Sequence, residues 1–229
     1  MTLAKILFMC LLGYILAGCG AGPTPRLIDL VGEDAFLHNG LPSENDARWQ
    51  VSKIGLLVHA DATAPHAAPA IHPEYLETLT RRTEVFLKQR CSFHEILTLP
   101  PLFKPVTLAQ ELKVQGQRLD VPYEIVVVLS SREKAGPEKI GEATMMTQMG
   151  GTVIENSAMA EVGVLRVSDF KMVFLAPELG TESLEQLDAP LGTNRPSARE
   201  ARDVLRARAG QQALDRALER IGSACQRVA

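Results

Sequence analysis

The residue types best suited to metal binding fall in one stretch, where His59, His66 and His72 accompany Asp61. Imidazole and carboxylate groups are the usual nitrogen and oxygen ligands of zinc. However, the histidine spacings of seven and six residues match no common ligand pattern. The intervening sequence is rich in alanine and proline, which is typical of a solvated loop. We therefore expect no metal site and no cofactor.

A second candidate is the S-x-x-K pattern of Ser131 and Lys134, which supplies the acylated serine in penicillin-binding enzymes. That chemistry requires a serine at a helix start together with S-D-N and K-T-G elements. Here Ser131 ends a strand-like run, and the sequence lacks K-T-G. It also lacks G-x-S-x-G, a P-loop and a dinucleotide-binding fingerprint. We therefore expect no catalytic residue and no enzymatic activity.

The clearest chemical signal is a cysteine that follows an apolar run near the N-terminus. Met1–Lys5 carries one positive charge, and Ile6–Leu16 is almost wholly apolar. This run is too short for a membrane span, which needs about 20 residues. A charged start, an apolar run and small residues before a cleavage point mark a secretory signal. The closing tetrapeptide, Leu16-Ala17-Gly18-Cys19, resembles the lipobox of bacterial lipoproteins.

That resemblance implies cleavage between Gly18 and Cys19 and lipidation of the Cys19 thiol. One acyl chain binds a membrane only reversibly, whereas two or more anchor a protein stably. The residue after the cysteine is Gly20 and not aspartate, which by analogy with Gram-negative lipoproteins implies the outer membrane. An uncleaved signal anchor or a core helix is the alternative, but four adjacent positions favour the lipobox.

The composition of the whole chain is typical of a globular protein. The chain has 229 residues, 46% hydrophobic and 22% charged, with a formal net charge of −3. No basic patch is large enough to predict nucleic-acid binding. We predict a signal peptide over 1–18, a lipidated N-terminus and tether over 19–50, and a single α/β domain over 51–229.

Cleavage and lipidation leave two cysteines, Cys91 and Cys225, each near the end of a predicted helix. Exported proteins meet an oxidising compartment in which paired cysteines tend to form disulfides. Two buried free thiols are the alternative, since cysteine is among the most buried residue types. Both possibilities remain open, because the sequence does not fix the distance between the two Cα atoms.

Hydrophobic periodicity predicts the elements of the domain. Continuous apolar runs predict strands at 53–60, 92–99 and 123–131, and helical spacing predicts helices over Pro73–Arg90 and from Thr107 to about Gln117. A polar turn is expected at 132–139, then a strand bent at Gly150-Gly151, a hairpin around 168–170 and a loop over 178–195. A long helix begins at the Ser197/Glu200 capping box. The predicted class is α/β (α+β), with a mixed sheet of order β-α-β-α-β, then antiparallel strands and the terminal helix.

The segments "PRLIDLV", "VSKIGLLVHAD", "LDVPYEIVVVLSS" and "VLRVSDFKMVFLAPE" resemble the rhombotarget lipoprotein family. Asp120 and Lys171–Pro177 take the positions of that family's aspartate before the third strand and of its late hairpin. The run "ATMMTQMGGTV" lacks the aromatic residues of that family's fourth strand. The resemblance implies a lipoprotein and carries no activity. At the level of fold, the order also looks like that of peptidoglycan-synthase activators and curli secretion lipoproteins.

Three functions follow as expectations. The first is a non-catalytic, membrane-anchored accessory protein that binds another envelope protein. The second is a periplasmic hydrolase or ligand-binding enzyme with a site near Asp61 and Ser130, because open α/β sheets bind ligands at the carboxyl ends of their strands. The third is a peptidoglycan-synthase activator, a role that requires more reach than a seven-residue tether gives.

Overall fold

The computed structural model describes residues 22–36, 52–91, 93–99, 108–137, 152–186 and 198–226. The predicted signal peptide, Gly18 and Cys19 lie outside these residues, as does the predicted bend at Gly150-Gly151. In chain order the elements are helix α1 (Leu27–Val31), a 3-10 turn (Glu33–Ala35), β1 (Lys53–Asp61), α2 (Pro73–Arg90), β2 (Glu95–Thr98), α3 (Leu108–Leu119), β3 (Tyr123–Pro137), β4 (Thr152–Arg166), β5 (Lys171–Gln186) and α4 (Ala198–Gln226).

The described strands form one mixed sheet of five strands in the order β2-β1-β3-β4-β5. β1 pairs in parallel with β2 and β3, whereas β3, β4 and β5 pair antiparallel. Parallel neighbours require crossover helices, which α2 and α3 supply, and the antiparallel strands β4 and β5 need only a tight turn. The predicted fold class is therefore confirmed, including the long terminal helix.

One face of the sheet is covered by α2 and α4. Every second residue of the central strands points to this face, because side chains alternate across a strand. Strands and both helices contribute to this layer, whose fully buried side chains include Ile54, Leu56, Leu87, Ile125, Val127, Val162, Val164, Leu214 and Ile221. This layer is the larger of two apolar cores.

The other face is covered by α1 and α3. Its core is formed by buried side chains of the two short helices and of the alternate strand positions: Leu27, Leu30, Val31, Leu57, Leu108, Leu112, Val126, Val128 and Leu165. Leu27 has no exposed surface and packs over Gly163, where an added Cβ would lie 2.7 Å from the leucine Cδ2. The predicted tether therefore contributes core residues from Leu27 onward.

The antiparallel strands are longer than the sequence predicted. β3 continues to Pro137, so the turn expected at 132–139 is wrong over its first six residues. β5 continues to Gln186, so the loop expected from Glu178 is wrong over 178–186. Thr152–Arg166 is a single strand and not the end of one strand plus the start of another. Pairing in this part of the sheet extends through polar residues that the apolar pattern does not mark.

Candidate functional site

The candidate site lies where β1 ends beside the middle of β3, on the α1 side of the sheet. Asp61, the last residue of β1, is the register partner of Ser130 in β3. Both residues are buried, at 2% and 5% exposure. The structure therefore brings together the two residues that the sequence placed at a carboxyl-end crevice.

Arg26 occupies this crevice. Its Nε donates a hydrogen bond to Asp61 Oδ2 at 2.8 Å, and its Nη2 donates to Thr63 Oγ1 at 2.8 Å. The third guanidinium nitrogen, Nη1, pairs with Asp29, one turn along the same segment. The Arg26 side chain is 15% exposed and the Asp61 side chain has no exposed surface. This is a largely buried, charge-assisted pair, which is stronger than a neutral hydrogen bond.

Glu161 of β4 holds the same segment from a second direction. Its Oε2 accepts hydrogen bonds from the backbone N–H groups of Arg26, at 2.5 Å, and Leu27, at 2.9 Å. These N–H groups open helix α1 and have no partner within the helix, so the carboxylate supplies one. Glu161 lies 135 residues from Arg26 in the sequence and is 2% exposed. We call Arg26, Asp61, Thr63 and Glu161 the N-terminal clamp.

The two acids of the clamp have opposite pKa shifts. Burial alone would raise the pKa of Asp61, but hydrogen bonds from Thr63 and Arg26, together with the arginine charge, lower it below its ordinary value. Burial raises the pKa of Glu161, and the two backbone hydrogen bonds offset that effect only in part. The nearby Asp29 carboxylate adds to the increase. Asp61 is therefore the anion that balances Arg26.

Among the described residues, a small cavity of about 20 Å³ lies at this edge of the sheet, bordered by Pro23, Thr24, His66, Ser130 and Ser131. The Ser130 hydroxyl lies 3.5 Å from the Thr24 carbonyl oxygen. A volume of this size holds about one water molecule. The N-terminal segment thus fills the position at which a ligand was expected.

The candidate metal ligands are not assembled into a site. Among the described residues, no group of three or more histidine, cysteine, aspartate or glutamate side chains is placed to hold a metal ion. His59 is buried on the same face of β1 as Asp61. His66 lies in the loop after β1 with a positive φ of 61°, and His72 precedes α2.

Cys91 and Cys225 form a disulfide, with an Sγ–Sγ distance of 1.97 Å and a Cα–Cα distance of 5.2 Å. Cys91 caps the end of α2, and Cys225 lies in the last turn of α4. The same two helices are also joined by a bidentate ion pair between Arg82 and Asp215, at 2.7 and 2.9 Å.

A second buried acid, Glu124 at the start of β3, was not singled out by the sequence. It has no exposed surface, and neither carboxyl oxygen has a hydrogen-bond partner within the part of the chain that the structure describes. Gly116 of α3 packs directly over it, since an added Cβ there would lie 2.9 Å from Glu124 Oε1. Burial raises the pKa of Glu124 to about 8, so the carboxyl is protonated at neutral pH.

A larger crevice lies at the end of the sheet opposite to the clamp. Its volume is about 460 Å³, and its lining includes Gly116, Val121, Tyr123, Arg166 and Ser168. Tyr123 and Arg166 are the last register pair at this end of β3 and β4. The crevice is therefore formed by the end of α3 and the turn between β4 and β5.

The sequence pointed to Asp61 and Ser130 but missed the residues that occupy the site. Arg26 lies in the quoted segment "PRLIDLV", in which a single cation next to an amphipathic turn was the available signal. Glu161 interrupts the apolar run around "AMAEVGVL", and an acid in the middle of a buried strand needs a partner. Neither the isolated cation nor the buried acid identified the other residue as its partner.

No protein-family model matches the chain, and no curated protein matches its sequence. Solved structures match the fold of the chain only with low TM-scores. A minor lipoprotein of Acinetobacter baumannii is 7% identical, covers 75% of this chain and 93% of its own, and has a TM-score of 0.35. The rare lipoprotein B of Shewanella oneidensis is 15% identical, with coverages of 76% and 98% and a TM-score of 0.34.

The hypothetical protein CT253 of Chlamydia trachomatis is 13% identical, with coverages of 76% and 98% and a TM-score of 0.39. Two of these three proteins are described as bacterial lipoproteins. Overlaps of this quality support no argument about the function of this chain. Separately, no helix within the described ranges is both long and apolar enough to cross a bilayer.

Proposed function

We propose that this protein is an exported lipoprotein, anchored to the outer membrane through lipid on Cys19, that acts as a non-catalytic accessory protein. The body would bind another component of the cell envelope. The lipobox-like sequence before Cys19 motivates the anchor. The observation that carries the proposal is the N-terminal clamp, which fixes the segment following Cys19 onto the sheet.

Arg26 of the N-terminal clamp lies close in sequence to the proposed lipidation site. Pro23 is buried and Arg26 is held by three acidic groups, so the body begins four residues after Cys19. At about 3.3 Å per residue, Cys19 reaches only about 13 Å from Pro23. A clamp of this kind holds a domain close to its membrane, which suits an accessory protein that acts at the membrane surface.

The same geometry argues against the other two expected functions. The crevice near Asp61 and Ser130 retains about 20 Å³, which accommodates no substrate. Ligand pockets usually measure about 300–1,000 Å³. A peptidoglycan-synthase activator needs reach, and the clamp makes the tether shorter than the seven residues that follow Cys19 in the sequence alone.

Lipidation is tested by mass spectrometry of the N-terminal peptide, which trypsin releases by cleaving after Arg26. We expect a peptide that begins at Cys19 and carries acyl chains. A peptide that begins before Cys19, or one without lipid, would contradict the anchor. Cys19→Ala is the matched control and is expected to retain an uncleaved, unmodified N-terminus.

Partner binding is tested by crosslinking in intact cells followed by affinity purification. We expect the wild-type protein to capture an envelope protein that the mislocalised Cys19→Ala variant does not capture. Recovery of the same proteins with both variants, or of no envelope protein, would count against an accessory role.

A ligand-binding role is the second candidate, and the crevice of about 460 Å³ at the opposite end of the sheet favours it. That volume lies in the range of small-molecule sites. Tyr123→Ala and Arg166→Ala would then abolish any ligand-induced rise in melting temperature found with periplasmic metabolites. If no metabolite shifts the melting temperature of the wild-type protein, this candidate fails.

A further inference from the structure

Beyond the end of β1, three strands continue alone. β3, β4 and β5 remain paired from the row of Arg132, Ser157 and Thr181 to the row of Pro137, Thr152 and Gln186. We call this part of the sheet the strand extension. It is six residues long on β3, and the five steps between them span about 17 Å at 3.4 Å per residue.

Helix α4 covers only one face of the strand extension. On that face Ile154 and Ala158 are buried, and Gly180 of β5 contacts the backbone of α4. Side chains alternate along each strand, so the intervening residues point to the opposite face. Within the described residues this second face carries exposed side chains: Lys134 of β3 and Leu179, Thr181 and Ser183 of β5. Leu179 is 47% exposed.

The N-terminal segment leaves the body beside the base of this uncovered face. From the clamp the chain runs back past Ser130, whose hydroxyl lies near the Thr24 carbonyl oxygen, to Gly22, which borders the same small cavity as Ser131 and Arg132. Gly22 therefore lies near the first row of the strand extension. Only three residue steps separate it from Cys19, which corresponds to about 10 Å of extended chain.

These two lengths determine how the body can sit on a membrane. If the strands stood upright with their tips on the lipid surface, Gly22 would be about 17 Å above that surface. The acyl chains on Cys19 must be within the bilayer, and about 10 Å of chain does not bridge that gap. The upright orientation is therefore excluded, and the strands must tilt until the side that carries Gly22 approaches the lipid.

Resting on the proposed lipidation of Cys19, we propose that the uncovered face of the strand extension lies against the phospholipid headgroups. Its side chains suit that environment. Serine and threonine hydroxyls bond to headgroup oxygens, and the exposed leucine buries apolar surface. Among the described side chains, Arg132 and Lys134 share this face with Glu155, which leaves one net positive charge for an anionic surface to attract. The crevice at the opposite end then faces away from the membrane, toward soluble or cell-wall partners.

The test uses two serine-to-cysteine variants on the same hairpin. Ser183 lies on the strand extension and Ser168 in the turn at the far end of β5, and both are exposed. Twelve residue steps along β5 separate Lys171 from Ser183, so Ser168 and Ser183 lie about 40 Å apart. Each variant of the full lipidated protein is labelled with a fluorophore and inserted into vesicles of phosphatidylethanolamine and phosphatidylglycerol. A fraction of the lipids carries a nitroxide quencher on the headgroup.

We expect quenching at Ser183→Cys to exceed quenching at Ser168→Cys at least threefold. Equal quenching, or stronger quenching at position 168, would overturn the proposed orientation. Arg26→Ala releases the clamp and is expected to reduce the difference between the two positions. Labelling of the protein without an added cysteine measures background from Cys91 and Cys225.

The intact mass of each purified protein separates the two proposals. If Cys19 carries acyl chains and quenching is equal, the orientation is wrong and the lipoprotein proposal stands. If Cys19 carries no acyl chain, both proposals fall together.

Discussion

Two buried acids illustrate how environment sets the role of a carboxyl group. Asp61 and Glu124 are both at or below 2% exposure and lie on the same face of the sheet, on neighbouring strands. Asp61 accepts hydrogen bonds from Arg26 and Thr63, and its pKa is lowered. Glu124 has no such donor among the described residues, and burial raises its pKa to about 8. One acid stabilises the fold as an anion, and the other is tolerated only as a neutral group.

Arg26→Ala tests the anionic case. Removing the arginine leaves a buried carboxylate without its cation, which typically destabilises a protein by about 3 kcal/mol. The pKa of Asp61 is lowered in the folded state, so its contribution to stability is present at neutral pH and is lost as pH falls through that lowered value. We expect urea unfolding at pH 7 to show a loss of this size, with a smaller loss near pH 3.

The matched control is Arg81→Ala. Arg81 pairs with Glu77 at 3.4 Å, but both side chains are about three-quarters exposed. Exposed pairs contribute about 0–1 kcal/mol, so little change in stability is expected. Equal losses in the two variants would show that the N-terminal clamp is no stronger than a surface contact.

Glu124→Gln tests the neutral case. The folded-state pKa is raised from 4.5 to about 8, so the folded protein binds one more proton than the unfolded chain between these values. The free energy of unfolding therefore falls as pH rises across that range, by about 1.4 kcal/mol per pH unit. Glutamine cannot ionise, so the variant should be more stable than wild type at pH 8 and lose that advantage toward pH 5. Parallel stability curves from pH 5 to 8 would contradict a buried, proton-binding Glu124.

At the scale of elements, the long strand β5 is an edge strand, and α4 closes part of that edge. Unpaired backbone groups at a sheet edge invite association with other chains. Gln212 accepts a hydrogen bond from the Thr181 N–H at 2.8 Å, and Arg216 donates to the Leu179 carbonyl at 2.6 Å. Pro177 has no N–H to leave unpaired, as is common on edge strands. The terminal helix therefore protects the edge as well as covering a core.

Gly180→Ala tests this arrangement. An added Cβ at Gly180 would lie 2.3 Å from the Ala209 carbonyl oxygen and 2.7 Å from the Ala213 nitrogen. Both are helix backbone atoms, so α4 as a whole would have to move, and overpacking of this kind destabilises proteins by about 1–3 kcal/mol. Hydrogen exchange should also become faster at the Thr181 amide, because its acceptor on α4 moves with the helix.

Gly22→Ala is the control, since no atom lies within 4 Å of a Cβ built there. It should change the free energy of unfolding by no more than about 0.5 kcal/mol. If Gly180→Ala is equally neutral, α4 does not pack against β5 as closely as described.

The elements also show which features a sequence can reveal. Continuous apolar runs predicted β1 and the first part of β3, because both faces of these strands are covered, and helical spacing predicted α2 with its observed bounds. The β3 and β5 parts of the strand extension escaped prediction because its uncovered face is polar, which weakens the apolar alternation. The β4 part lies in a run that the sequence predicts as a strand. The clamp escaped because Arg26 and Glu161 are 135 residues apart. Only the folded sheet brings them within hydrogen-bonding distance.

At the scale of the whole molecule, two long-range connections join distant parts of the chain. The clamp joins the N-terminal segment to β4 on one face, and the Cys91–Cys225 disulfide joins α2 to α4 on the other. The disulfide encloses a sequence separation of 134 residues, which contains most of the sheet. Cross-links that close long loops remove the most entropy from the unfolded chain. The disulfide therefore stabilises the entire domain and not only the pair of helices.

The oxidation state of these cysteines gives the last prediction. In the proposed mature protein, Cys10 is removed with the signal peptide and the Cys19 sulfur is bonded to lipid, which would leave Cys91 and Cys225 to react. Titration of denatured, unreduced protein should detect no free thiol, and titration after reduction should detect two. Replacing both cysteines by alanine should lower the free energy of unfolding by about 5 kcal/mol, as the chain-entropy relation gives for a loop of this length. Two reactive thiols without reductant would show that the cysteines are free, and α2 and α4 would then depend on apolar packing and the Arg82–Asp215 ion pair.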